Sequence, residues 1–184
     1  MNRRIAIRNM ALILGSAAIL PSCLTDKGKP VVQLKKLKVD ADQEKVVNNL
    51  AETILPKTDT PGAAELGINL FVFKMIDDCY DKEHQADFIK GLCDFADAAK
   101  KQLGKSFNEA TVAERTAFVN TVDINAKNEK YKDVTKLTAF YKMVKDQTVF
   151  GYTTSKYFMT KQIVYELVPG RYNAYFPVKK LAAV

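Results

Sequence analysis

Histidine and tryptophan are what this 184-residue chain has least of: one His, His84, and no Trp, with only three Cys. A single histidine excludes a two-His zinc site and the paired Glu-x-x-His ligands of a di-iron bundle. No Cys-x-x-Cys-His occurs, so the chain has no attachment site for a c-type haem. There is no Gly-x-Gly-x-x-Gly, no Gly-x-x-x-x-Gly-Lys-Ser/Thr and no Gly-x-Ser-x-Gly, so nucleotide cradles and the hydrolase nucleophile turn are missing too. No apolar run approaches the ~20 residues of a membrane-spanning helix. What remains is an ordinary globular composition, 47% hydrophobic and 27% charged, long enough for one domain with a sizeable core.

The formal charge of +7 arises from 28 Lys and Arg against 21 Asp and Glu. Residues 1–22 carry Arg3, Arg4 and Arg8 and no acid, so without them the excess is a mild +4. The densest basic run, Lys35, Lys36 and Lys38, is not interleaved with aromatics, as a nucleic-acid surface requires, and reads as a solvated tether. No nucleic-acid partner is expected.

The N-terminus reads as an address. A basic start is followed by a weakly apolar stretch, Ala11 to Leu20, in the pattern of an export signal over residues 1–22. Arg3-Arg4 resembles a twin-arginine signal, the route that carries folded cargo; the other reading is a general secretory signal with two incidental arginines. Leu20-Pro21-Ser22-Cys23 resembles a bacterial lipobox, although Pro21 replaces the usual small residue. A lipid on Cys23 predicts a periplasmic protein anchored to a membrane, with residues 23–39 as its tether.

From residue 40 to 184 the chain reads as one all-α domain of five to six helices with an irregular, aromatic-rich C-terminal tail. Asp40 with Gln43, and Thr111 with Glu114, have capping-box spacing. Val46, Val47, Leu50 and Ile54 form one apolar stripe, ended by Pro56; Phe88, Leu92, Phe95, Ala99 and Leu103 form another, ended by Gly104. Thr60-Pro61 is expected to open a short helix broken by Gly67, and Ile68 to Tyr80 a longer apolar one. Asp81 is expected to cap the next. Phe118, Val119 and Val122 point inward from the helix after Thr111; residues 123–132 read as a loop, Asp133 as the cap of a helix to Gly151, and Thr154 as the cap of a last helix to about Val164.

Candidate chemistry is sparse. His84 reads as a surface or capping residue, and Asp77, Asp78, Asp81 and Glu83 as helix-start carboxylates rather than a cation site, because EF-hand spacing is missing. No metal or catalytic residue is assigned. Cys79 ends one helix and Cys93 sits about 12 residues into the next, roughly 15–18 Å along its axis, beyond disulfide reach; two buried thiols are expected. The aromatics Tyr152, Tyr157, Phe158, Tyr165, Tyr172, Tyr175 and Phe176 suit either a satellite core or a partner surface.

Several residue runs resemble one family. Thr58-Asp59-Thr60-Pro61-Gly62-Ala63, then Gly67, Phe71, Asp78-Cys79-Tyr80, Gln85 and Phe88, followed by Phe150-Gly151-Tyr152-Thr153-Thr154-Ser155 and Val168-Pro169-Gly170-Arg171-Tyr172, are similar in order and spacing to gluconate 2-dehydrogenase subunit 3 over roughly residues 40–177. The resemblance implies a non-catalytic small subunit. It would bind, stabilise and escort for export a glucose–methanol–choline-type flavoprotein dehydrogenase that oxidises sugars or sugar acids in the periplasm. FAD and c-type haem would reside in partner subunits, including a cytochrome c, with no cofactor in this chain. The partner contact is expected at Thr58, Asp59, Thr60, Pro61, Gly62, Gly151, Tyr152, Pro169, Gly170 and Tyr172; Gly62 and Gly170 more simply serve turns through unusual φ. The alternative is a stand-alone lipid-anchored binding or scaffold protein with an apolar ligand pocket.

Overall fold

A computed structural model describes residues 32–127 and 135–163, together with 165, 168, 170, 172, 174 and 175. Arg3, Arg4, Cys23, Asp133, Pro169 and Phe176 lie outside the described residues. Among those described, the fold is all-α: α1 Ala41–Ile54, α2 Ile68–Cys79, α3 Lys82–Leu103, α4 Val112–Lys127, α5 Thr135–Thr153, and a π-helical turn Phe158–Gln162.

Local chemistry sets the helix starts. Asp40 Oδ1 accepts the Gln43 N–H at 2.7 Å while Gln43 Oε1 accepts the Asp40 N–H at 3.0 Å, a reciprocal pair that satisfies two donors left orphaned at the head of α1. Thr111 and Glu114 do the same for α4, with Glu114 Oε2 accepting the Thr111 N–H at 2.7 Å. Asp81 accepts the His84 N–H at 2.9 Å at the start of α3. That helix ends at Gly104, whose φ of 72° is left-handed and costs glycine little.

The core is built of phenylalanine. Phe95 stands within 5.1–5.6 Å, ring to ring, of Phe107, Phe118 and Phe140, and Phe140 also meets Phe88 at 5.1 Å. All five are buried. The tilted and edge-on geometries suit the ring quadrupoles and add to the area term. Helix α5 runs through the middle and touches all four other helices, chiefly α3. Its inward residues therefore occupy several faces, Phe140, Tyr141, Val144 and Thr148 among them, instead of one stripe.

Four expectations are corrected. Residues 61–67 form turns, not a helix; Gly67, at φ 64°, precedes α2 as its N-cap. Helix α4 continues to Lys127, because Asp123, read as the start of a loop, is held by Tyr141 Oη at 2.9 Å and by the ammoniums of Lys127 and Lys145, both at 2.5 Å. Helix α5 ends at Thr153 rather than Gly151, and Ser155, not Thr154, caps the π-helical turn by accepting the Phe158 N–H at 3.2 Å. Thr154 Oγ1 instead donates back to the Phe150 carbonyl at 2.7 Å.

The last eight residues of the expected tether are also part of the body. Val32 and Leu37 are buried against it. The buried Asp77 carboxylate accepts the backbone N–H groups of Lys35, Lys36 and Leu37 at 2.7–2.8 Å. Asp77 and Asp78 end α2 and are not helix-start carboxylates; Asp78 instead faces the Lys35 ammonium at 3.6 Å.

Candidate functional site

The loop between α1 and α2 is shaped by Glu52. Its carboxylate accepts the N–H of Lys57 at 3.3 Å and of Ala64 at 2.8 Å, and the Ala63 N–H reaches the Leu55 carbonyl at 3.0 Å. Within the loop Thr58 N–H donates to the Thr60 carbonyl at 3.0 Å. Lys57 and Glu65 form an ion pair across its mouth. Gly62 sits at the tightest point: a Cβ there would fall 2.7 Å from Lys57 N and 2.8 Å from Glu52 Oε1. Its φ is not left-handed, so space rather than unusual φ explains this glycine, and the same correction of φ applies to Gly170, around which nothing lies within 4 Å. Thr58 and Asp59 are exposed, Thr60 and Pro61 half-buried, and Gly62 buried.

Gly151 lies at the other end of the chain's family-like runs and is also buried. A Cβ on it would stand 2.7 Å from Phe71 Cδ1, so the absence of a side chain lets the Phe71 ring lie on α5. Phe71 then meets Phe150 at 5.9 Å between centroids. Tyr152 turns to the opposite neighbours, 5.4 Å from Phe158 and 6.4 Å from Tyr157. The loop and Gly151 are thereby both tied to the first turn of α2: the loop through the Ile68 N–H on the Ala63 carbonyl at 2.9 Å, Gly151 through Phe71. Leu70, read from the sequence only as part of an apolar helix, faces outward here at 44% exposure, beside Val149 and Phe150 at 50% and 49%. Gly170 and Tyr172 are exposed. Tyr165 and Tyr175 are exposed as well, so the described tail tyrosines do not form a satellite core.

Elsewhere the titratable groups serve structure. Asp81 holds His84 by its N–H and by Nδ1 at 2.8 Å, which raises the imidazole pKa and lowers that of the carboxyl. Asp123 is held well below the usual carboxylate range, first by the Lys127 and Lys145 ammoniums, and Tyr141 is pushed up by burial and by its bond to Asp123. Arg115, which no sequence pattern singled out, fixes the 104–110 turn: Nε donates to the Phe107 carbonyl at 3.0 Å, Nη2 to the Asn108 carbonyl at 2.9 Å and Nη1 to Asn49 Oδ1 at 2.9 Å. Cys79 is exposed, against expectation, because the inward stripe Val72, Phe73, Ile76 and Asp77 leaves it on the outer side of α2; Cys93 is half-buried, and the two form no disulfide.

A groove of about 960 Å³ opens between the start of α1, α3 and the 104–109 turn. Cys93 and Phe107 line it, but so do Asp42, Asp97, Lys100 and Lys105, so it is not the apolar pocket that a stand-alone binding protein predicts. Among the described residues no three His, Cys, Asp or Glu side chains converge as a metal ion needs. The described surface thus defines a helical domain whose most distinctive feature is an apolar contact face. The family model for gluconate 2-dehydrogenase subunit 3 matches residues 41–170, and the chain belongs to that family. No curated protein and no solved structure matches it.

Proposed function

We propose that the chain is the non-catalytic small subunit of a periplasmic flavin-dependent dehydrogenase. It binds and stabilises a glucose–methanol–choline-type flavoprotein that oxidises sugars or sugar acids, and escorts it, already folded, through the twin-arginine route. FAD and c-type haem belong to partner subunits, one of them a cytochrome c, and Cys23 carries a lipid that keeps the complex at a membrane. The observation that carries this reading is the family match over 130 residues, 41 to 170, a family named as a subunit of a dehydrogenase. The Arg3-Arg4 leader and the Cys23 context support the export and anchoring parts.

The test is a pull-down of the tagged full chain from detergent-extracted membranes, with an absorbance scan of the eluate. Flavin bands together with a large second polypeptide are expected. A colourless single band of folded protein would overturn the subunit role in favour of a lone lipoprotein. Replacing Arg3 and Arg4 by lysine should strand both polypeptides in the cytoplasm.

A further inference from the structure

Exposed apolar side chains are not spread evenly over the molecule. Of ten large ones among the described residues, Val112 and Ile124 stand on α4; Leu70, Val149, Phe150, Ile163, Tyr165, Val168, Tyr172 and Tyr175 all belong to the start of α2 or to the chain from the end of α5 onward. Single exposed hydrophobics are normal, but a contiguous cluster marks a contact surface. The cluster here is built, since Gly151 gives Phe71 room to lie on α5 and the Phe71–Phe150 pair then holds Leu70 and Val149 at its margin. Aromatic rings already fixed by a neighbour lose little freedom on binding, which is the character of interface anchors.

We propose that the face formed by Leu70, Phe71, Val149 and Phe150 is where the catalytic subunit docks, meeting an apolar recess rimmed by carboxylates. This rests on the subunit role proposed above and adds the surface and the chemistry of its counterpart. The rim selects the occupant. Lys74 lies one helical turn beyond Leu70, Lys142 two turns before Val149, and Lys156 just past the end of α5; all three are exposed, with Asp146 the acid among them. Two copies of this chain meeting by this face would set lysine rim against lysine rim, which costs free energy, whereas a carboxylate rim on a different protein is attracted and steered to it.

The test uses the tagged full chain extracted from membranes as wild type, Leu70→Glu, Val149→Glu and Val112→Glu. Flavin absorbance per chain is read, with the large polypeptide identified by mass spectrometry. Leu70 and Val149 are about half exposed, so helical circular dichroism and melting should stay unchanged. Leu70→Glu and Val149→Glu should each lower the flavin content about tenfold or more, equivalent to about 1.4 kcal/mol of lost affinity, and Val112→Glu should not. Wild-type flavin content in both face variants overturns the surface while leaving the subunit role standing. No flavoprotein with the wild type overturns both. A homodimer that Leu70→Glu breaks apart, with flavin content unaffected, assigns the face to a second copy and also overturns the proposal.

Discussion

The two ends of the phenylalanine system make an instructive pair. Around Phe95, rings from α3, α4, α5 and the 104–110 turn close on one another until none is left in contact with water. At Phe71 and Phe150 the same residue type, on the same two kinds of helix, stops halfway and leaves about half of Phe150 exposed. Both arrangements remove apolar area from water, but only the first completes the job within the chain. An aromatic residue therefore has no fixed meaning; the neighbours around it decide whether it stabilises the monomer or waits for another surface.

The contrast is most directly broken at its closed end. Phe95→Ala should cost about 3–5 kcal/mol in chemical denaturation, the range for emptying a packed aromatic site, whereas Phe150→Ala should cost about 1 kcal/mol or less, because solvent already covers much of the ring. Equal losses would mean that the open end is core after all. Gly151→Val comes next: its branched side chain must displace the Phe71 ring, and overpacking of this kind costs about 1–3 kcal/mol. Gly170→Ala, with open space around it, should shift the melting temperature negligibly.

Arg115→Lys ranks third, at about 1–2 kcal/mol, because an ammonium lacks the planar fork that reaches two carbonyls and Asn49 together. The melting curve would show it, and a loss confined to the closed end would appear as faster hydrogen exchange around Phe107. The smallest effect is that of pH. Burial pushes the Asp77 carboxyl up, but the three backbone donors from Lys35, Leu37 and Lys36 outweigh it and leave the pKa below the ordinary 3.8. A group depressed in the folded state stabilises above its unfolded pKa and loses that contribution as pH falls through the folded value. Asp77→Asn should therefore flatten the decline in melting temperature below about pH 4, and an unchanged decline would assign it to other carboxylates such as Asp123.

How much of this was legible in the sequence depended on range. Asp40 with Gln43 and Thr111 with Glu114 were readable because a capping box is complete within four residues. The stripe through Phe88, Leu92, Phe95 and Ala99 was readable because one helical face repeats. Asp77 was not, since its partners lie about forty residues away and nothing near it marks it as inward-facing. The central role of α5 escaped for a related reason: a helix packed on several sides shows no clean amphipathic stripe. At the candidate site, the family-like glycines could be found, but their purpose could not, because the crowding at Gly62 comes from Glu52 and Lys57 and that at Gly151 from Phe71, eighty residues earlier.

The Asp77 clamp has a mechanical consequence for the proposed anchoring. It fastens the chain at Lys35 to Leu37, and Val32 is packed down just before it, so only residues 23–31 separate a lipid on Cys23 from the body, nine instead of seventeen. Nine residues reach about 30 Å at full stretch, close to the diameter of a small domain. A mooring that short holds the helical body almost against the bilayer, and whatever it carries has to be taken aboard at that height.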